Sequence, residues 1–243
     1  MKLLISLTVA YLLPTFLFAQ IELAYSWQTK DDDGTVLFTN YYKLLIDREN
    51  HYFMKIDSTV PTSSDAIIRT ASKDFKGFFF SGQTRSFYYM GFIFNKAIPV
   101  VDSTAANQFQ WQYQSGNGPT ILGFKTLVAK TTFRGRTYTA YYAPELPYSV
   151  GPFKFSGLPG LILEIFNDDD KNHFTATQIQ KRTTDTPIEN PYASIEQKRY
   201  ISFKSYKELY LKKLAEQLQK LQAEEKEGYT YSSLDTSLEL TSE

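Results

Sequence analysis

Residues 86–94 read SFYYMGFIF. Laid out as a strand, Phe87, Tyr89, Gly91 and Ile93 fall on one side, and Tyr88, Met90, Phe92 and Phe94 on the other, because side chains alternate across an extended backbone. Both sides are apolar. An antiparallel sheet normally turns one polar face to water, so a strand greasy on both faces needs two covers. Phe78-Phe79-Phe80 repeats the pattern over a shorter run. The chain offers one good amphipathic helix, which covers one face. A sheet that curls on itself, with an apolar concave face and partial cover outside, answers the pattern and also reduces exposed edges. A solid sandwich whose rings fill the core answers it too.

The rest of the chain agrees with a β architecture. Tyr, Phe and Trp make up 16% of the 243 residues, and aromatic rings suit a pleated, half-buried surface. Alternation and turn residues mark strands at 21–29, 36–46, 52–56, 77–81, 86–94, 109–114, 126–133, 137–143, 161–166 and 173–180. Asp31-Asp32-Asp33-Gly34, Arg134-Gly135-Arg136 and residues 167–172 read as turns. No repeat period is visible, which argues against a solenoid or propeller. The expected fold is mainly β: a single curled antiparallel sheet, an open half-barrel, with one C-terminal amphipathic helix.

That helix is read at residues 205–227. Ser205 and Glu208 form a capping box, Tyr210, Leu214, Leu218 and Leu221 recur at helical spacing, and Gly228 marks the stop. Residues 229–243 are polar and read as a loosely ordered tail. At the other end, residues 1–19 carry one early charge, Lys2, and then an uncharged apolar run to Ala19, the layout of a secretory signal. The expected division is a signal peptide at 1–19, one β-rich domain at 20–228 and the tail. Pro14 and the shortness of the run speak against a retained anchor, since a bilayer takes about 20 apolar residues. The sequence has no Cys, which removes disulfides, thiolate metal sites and a cysteine nucleophile. With 26 basic and 26 acidic residues and no cationic block, it does not read as a nucleic-acid binder.

Residues 140–166, AYYAPELPYSVGPFKFSGLPGLILEIF, are punctuated by Pro144, Pro147, Pro152 and Pro159 and by Gly151, Gly157 and Gly160. Fixed and permissive backbone positions in alternation describe an ordered, irregular crossing between two strands. Tyr148, Phe153, Phe155 and Leu158 would pin it to the sheet. The segment resembles the GLPGLI family, exported proteins named for this hexapeptide and found mainly in Bacteroidota. Gly157-Leu158-Pro159-Gly160-Leu161-Ile162 matches without a change, and Gly151-Pro152 precedes it as in the family. Tyr141, Tyr142 and Ala143 stand where the family's approach has Trp, Tyr and Thr, so an aromatic is kept but not the indole. The strong part of the likeness covers residues 123–166. It implies an exported envelope protein with no established biochemical role, genes often near outer-membrane TonB-dependent transporters, and no catalytic residues to carry over. The curled sheet is also similar, in architecture only, to the half-barrel of the lipoprotein carriers LolA and LolB.

Chemistry is sparse. His51 and His173 are the two histidines. His51, after the acidic turn at 47–50, reads as a solvated turn residue. Asp168, Asp169, Asp170 and His173 form a weak candidate for a divalent cation, although an Asp-rich hairpin tip needs no metal. There is no G-x-S-x-G elbow around Ser156 and no phosphate-cradling loop at Gly116-Asn117-Gly118. Glu145 and Glu164 are carboxylates whose separation the sequence cannot set. No cofactor is expected. The leading reading is a non-enzymatic protein of the periplasm or outer envelope, not integral to the membrane. It would hold an apolar small molecule, lipid or lipidated partner in the concave face, with Phe87, Tyr89, Phe92, Phe94 and Trp111 as lining. The alternatives are an accessory protein docking on an envelope transporter through an exposed edge or aromatic patch, and a hydrolase.

Overall fold

Alternating apolar residues bounded by Gly, Asp and Asn turns become strands through most of the chain. The computed structural model describes residues 21–56, 76–182, 184 and 186–223; the expected signal segment, the expected tail and residues 224–227 of the expected helix lie outside them. Twelve strands form: β1 (Ile21–Lys30), β2 (Val36–Ile46), β3 (His51–Lys55), β4 (Gly77–Ser81), β5 (Ser86–Ile93), β6 (Lys96–Asp102), β7 (Gln112–Asn117), β8 (Leu127–Phe133), β9 (Arg136–Ala143), β10 (Leu161–Asn167), β11 (Asn172–Lys181) and β12 (Ile201–Ser202). One helix, α1 (Phe203–Ala223), follows. All twelve strands belong to one open sheet in the order β12-β6-β5-β4-β3-β2-β1-β11-β10-β9-β8-β7. Two meanders, β1 to β6 and β7 to β11, are stitched together by the antiparallel β1–β11 pair. Every pairing is antiparallel except the two-residue β12–β6 junction.

This order forces the curl. β6 and β7 lie ten strand spacings apart, which in a flat sheet is about 48 Å. Residues 103–111 must bridge that distance, and at full stretch they reach about 36 Å; a 3-10 turn at Ala105–Asn107 shortens them further. The two ends of the sheet therefore come together. An ion cluster marks where they meet. Asp102, the last residue of β6, accepts from Arg134 of the β8–β9 turn at 2.7 Å and from Lys154 of the crossing at 3.0 Å. Its other oxygen accepts from the backbone N–H groups of Thr104 and Ala105 and the Thr104 hydroxyl. Arg134 lies 3.4 Å over the Phe203 ring at the start of α1, and Lys154 4.2 Å over Tyr89. Burial pushes the Asp102 carboxyl up, and the two cations more than reverse this, holding it well below the usual carboxylate range.

The two apolar faces of β5 find two covers. Inside, the crossing lays Phe153 against Phe78 at 4.7 Å, and Phe155 against Tyr138 at 4.7 Å and Phe133 at 5.7 Å. Outside, residues 186–200, which the sequence reading left unassigned, cover Tyr52, Phe79 and Tyr88. Ile188 and Tyr192 are buried there, and Tyr200 meets Tyr88 edge-on at 5.4 Å. Tyr192 accepts from the Lys76 N–H and donates to the Gly77 carbonyl, which fastens the segment to the start of β4.

Two strands escaped the sequence reading, and the helix begins earlier than expected. β6 contains Pro99, which argues against a central strand. It is tolerated because, beyond β5, β6 is flanked among the described residues only by β12, at Val100 and Val101. β12 is too short to leave a periodic trace. The strand expected at 109–114 forms at Gln112–Asn117 instead, because Phe109 turns inward onto Phe133 and Phe155. α1 is capped by Ser202, not Ser205: the Ser202 hydroxyl accepts the Ser205 N–H at 3.1 Å. Its first turn is deeply anchored by buried Phe203 and Tyr206, and the Tyr206 hydroxyl exchanges hydrogen bonds with the backbone of Phe92. Tyr210 and Leu214 are half-buried, and the side chains of Leu218 and Leu221 lie outside what is described.

Two substitutions test these constraints. Asp102→Ala removes the carboxylate shared by two buried cations and should lower unfolding free energy in urea by about 3–5 kcal/mol. At Gly160, an added Cβ would sit 2.5 Å from the Ala143 carbonyl oxygen and 2.9 Å from the Pro144 nitrogen. Backbone cannot step aside as a side chain can, so Gly160→Val should cost several times more than Gly157→Ala. Gly157, at φ +96°, has only Trp111 within 4 Å, and its substitution costs about 1–2 kcal/mol from backbone strain.

Candidate functional site

The hexapeptide and its approach build the floor of the concave face. Gly151 lies against Ile162, where a Cβ would come within 2.7 Å. The crossing is tied by Gly157 N–H to the Ser149 carbonyl, Leu161 N–H to Leu146 and Ile162 N–H to Val150. Pro152 is buried beside Phe153, and Leu158, Leu161 and Ile162 are fully buried. Pro159 lies between Leu158 and Gly160 in the bend that leads into β10. The curl is present, and the middle of its concavity is filled by Phe153, Lys154, Phe155 and Leu158. Lys154 was missed by sequence reasoning. Its signal was available: it is the one charge between Glu145 and Glu164, and it sits between two Phe residues.

The five lining candidates do not share a wall. Phe87 and Tyr89 lie on the inner face, Phe87 against His51 and Phe80, and Tyr89 against Phe78 and Lys154. Phe92 belongs to the opposite face of β5. Phe94 sits exposed at the β5–β6 hairpin tip with φ +51°. Trp111 stacks on Phe109 and donates its Nε1–H to the Ser156 carbonyl at 2.8 Å, beside the crossing.

The acidic tip is knitted into ion pairs and turn hydrogen bonds. Asp168 donates its backbone N–H to the Thr137 carbonyl. Asp169 accepts from Asn167 Nδ2 and from the Lys171 N–H. Asp170 pairs with Lys30, and its Oδ1 lies 2.8 Å from His173 Nδ1, while His173 Nε2 lies 2.6 Å from Glu164 Oε1. Burial raises the Asp170 carboxyl, and Lys30 and His173 more than reverse this, leaving it lowered. Among the described residues no group of three or more His, Asp or Glu side chains is arranged to hold a metal ion. Glu145 is exposed at the start of the crossing.

His51 corrects the sequence reading. It is the first residue of β3, buried, stacked on Phe80 at 4.6 Å and edge-on to Phe87 at 5.5 Å. Strand alternation puts it on the face of Phe53, where the turn reading had it in water. Its Nε2 has no hydrogen-bond partner. Burial pushes its pKa down to about 3, against a smaller upward pull from Asp47.

Among the described residues, the surface that remains open is at the far end of β2. β1 pairs with β2 along its whole length, but β3 covers only Tyr42–Ile46, and the last bond on that side runs from the Ile56 N–H to the Tyr41 carbonyl. From Val36 to Asn40, β2 has no second strand neighbour among the described residues. Val36, Leu37 and Phe38 are 44%, 48% and 45% exposed, an apolar run open on both faces. The β1–β2 turn holds this arm in shape. Asp31 and Asp33 accept from the Thr35 N–H, Gly34 takes φ +85°, and Lys171 pairs with Asp32 across to the β10–β11 turn. The sheet's two terminal edges are treated differently. β7 is polar and broken by an irregularity between Tyr113 and Asn117, and β12 is two residues long. Such devices protect an edge from strand addition; the open half of β2 has a bulge at Leu37, where Thr29 pairs with Phe38 and Lys30 with Val36, but no Pro and no charged side chain between Val36 and Asn40.

Comparison with known proteins adds a family match over part of the chain and a likeness of fold. A family model described as a protein of unknown function, Porph_ging, matches residues 90–164, from β5 into β10. Among curated proteins no sequence match is found. Two crystal forms of PNGF-II resemble the chain with TM-scores of 0.51 and 0.52 at 17% identity, over 80% of this chain and 33–34% of that one. The chain thus spans about a third of PNGF-II, and the likeness is one of fold. A looser overlap, TM-score 0.33 at 6% identity over 73% of this chain and 90% of the other, is found with a domain from Vibrio parahaemolyticus titled as outer membrane lipoprotein-sorting.

The buried histidine gives the acid response a sign. The folded state keeps His51 neutral down to about pH 3, while the unfolded chain protonates it near 6.5. Between those values the unfolded state binds the extra proton, so stability is full above about pH 6.5 and falls by up to about 1.4 kcal/mol per unit as pH drops. Asp102, with its lowered pKa, adds its loss only below about pH 4. Chemical denaturation from pH 7 to 4.5 should show this slope, and His51→Phe should flatten it.

Proposed function

We propose that this chain is a non-enzymatic binding protein of the cell envelope that engages a protein partner by strand addition to the free half of β2. One observation carries the reading: a strand edge open among the described residues, with three consecutive exposed apolar residues and no Pro or charge, held by its turn, on a sheet whose terminal edges are polar or very short. A partner strand laid along Val36–Asn40 would satisfy the open backbone groups and bury alternate side chains. Already more than half buried, Val36, Leu37 and Phe38 would each contribute about 1 kcal/mol if fully covered. The apolar run at residues 3–19, read as an export signal, supports the envelope assignment. Among the described residues no helix is long and apolar enough to cross a membrane. An envelope transporter is one partner that the accessory reading offers.

The concave-face carrier is the second reading. The aromatic inner wall of Tyr25, Phe53, Phe78 and Phe174 favours it, but an apolar ligand or lipid would have to displace Phe153 and Phe155. Organic extraction of the purified protein tests it, and co-purified lipid would shift the proposal to the interior.

The edge reading is tested by a photo-crosslinking residue at Leu37, with Lys198 as an exposed control. Leu37 should give one discrete adduct with another envelope protein in intact cells. Phe38→Lys should abolish it without changing the melting temperature. An adduct no stronger than at Lys198, one made of two copies of this chain, or one surviving Phe38→Lys would end the proposal.

A further inference from the structure

On the convex side, away from the β2 arm and the crossing, a cleft of about 370 Å³ opens between the β2–β3 and β4–β5 turns and residues 188–200. Its walls are fixed from three directions. Asn50 accepts from the Gly82 N–H at 3.3 Å and donates to the Ile188 carbonyl at 3.4 Å. The Ile188 N–H in turn donates to Asp47 at 2.9 Å. The Tyr200 hydroxyl donates to the Tyr192 carbonyl at 3.1 Å, and the Tyr88 hydroxyl to Thr84 at 3.2 Å. The cleft is therefore built before any ligand arrives, which spares a ligand the cost of ordering it.

The lining has a definite chemistry. Tyr88 and Tyr200, edge to face at 5.4 Å, supply apolar ring surface. Around them stand the exposed side-chain amides of Gln83 and Gln197 and the Thr84 hydroxyl; among the described residues that line the cleft, Glu49 is the single charged group and there is no Lys, Arg or His. Amides and hydroxyls each offer both donors and acceptors. A partner that matches them carries many hydroxyls, which also donate and accept, and it needs C–H surface for the rings. An anionic ligand would meet Glu49 and no compensating cation. A purely apolar one would leave the amides without partners. We infer that this cleft is a binding site for a neutral saccharide, of one or two pyranose units by its volume.

Saturation-transfer NMR on the full chain tests this with methyl pyranosides of glucose, galactose and mannose, their disaccharides, and glucuronate. At least one neutral sugar should bind at about 10 mM or below, with glucuronate about tenfold weaker. Gln83→Ala combined with Gln197→Ala should weaken the neutral sugar about tenfold at an unchanged melting temperature. Both side chains are exposed, so their loss leaves the fold intact. Absence of signal from every neutral sugar, equal binding of glucuronate, or wild-type binding by the double variant would overturn the assignment.

Discussion

Nine residues too few to span a flat sheet decide the shape of this molecule. Because residues 103–111 join β6 to β7, the ends of a twelve-stranded sheet must approach, and everything inside the curl follows. Burial at that junction requires that charges there be matched. Asp102, Arg134 and Lys154 come from three segments remote in sequence and share one carboxylate. Attraction in a site shielded from water by Phe203, Tyr89 and Phe78 is stronger than at the surface, but desolvation costs much of it back. The cluster acts as a clasp of defined geometry whose integrity matters more than its net gain.

The crossing completes the enclosure. Its prolines fix turns and bends and its glycines let it lie against Ala143 and Ile162, so two phenylalanines reach the middle of the curl. This joins the aromatic excess of the sequence to the filled concavity: rings from the crossing and rings from the strands occupy one space. On the two proposals above, recognition falls to the rim and the outside, where β2 outruns β3 and where residues 188–200 stand off from the turns.

Much of the architecture was readable from residues. Ten strands announced themselves because alternation and Gly or Asp turns coincide, and the two apolar faces of residues 87–93 called for two covers. The identity of the covers was not readable. Residues 186–200 have no regular period, and their hold on β4 rests on one tyrosine hydroxyl at Tyr192. Pro99 hid β6, since the sequence cannot tell that a strand stands beside so short a neighbour. The open half of β2 was legible as a strand but not as an edge, because that depends on β3 ending its pairing at Tyr42. His51 misled for a related reason: a polar residue after Asp47-Arg48-Glu49-Asn50 reads as turn, and only the register with Phe80 places it in the core.

The pairing of β1 with β11 aligns Ile21 with Lys181, positions 160 residues apart. The first meander can zip from neighbour to neighbour, but β1 keeps its other side bare until β11 has been synthesised and has found it. Contacts between such distant positions are late and entropically expensive. During that interval the half-assembled chain shows a row of unsatisfied amides flanked by Leu23, Tyr25 and Trp27. This nascent species, more than the finished fold, is what a cell must shield from aggregation.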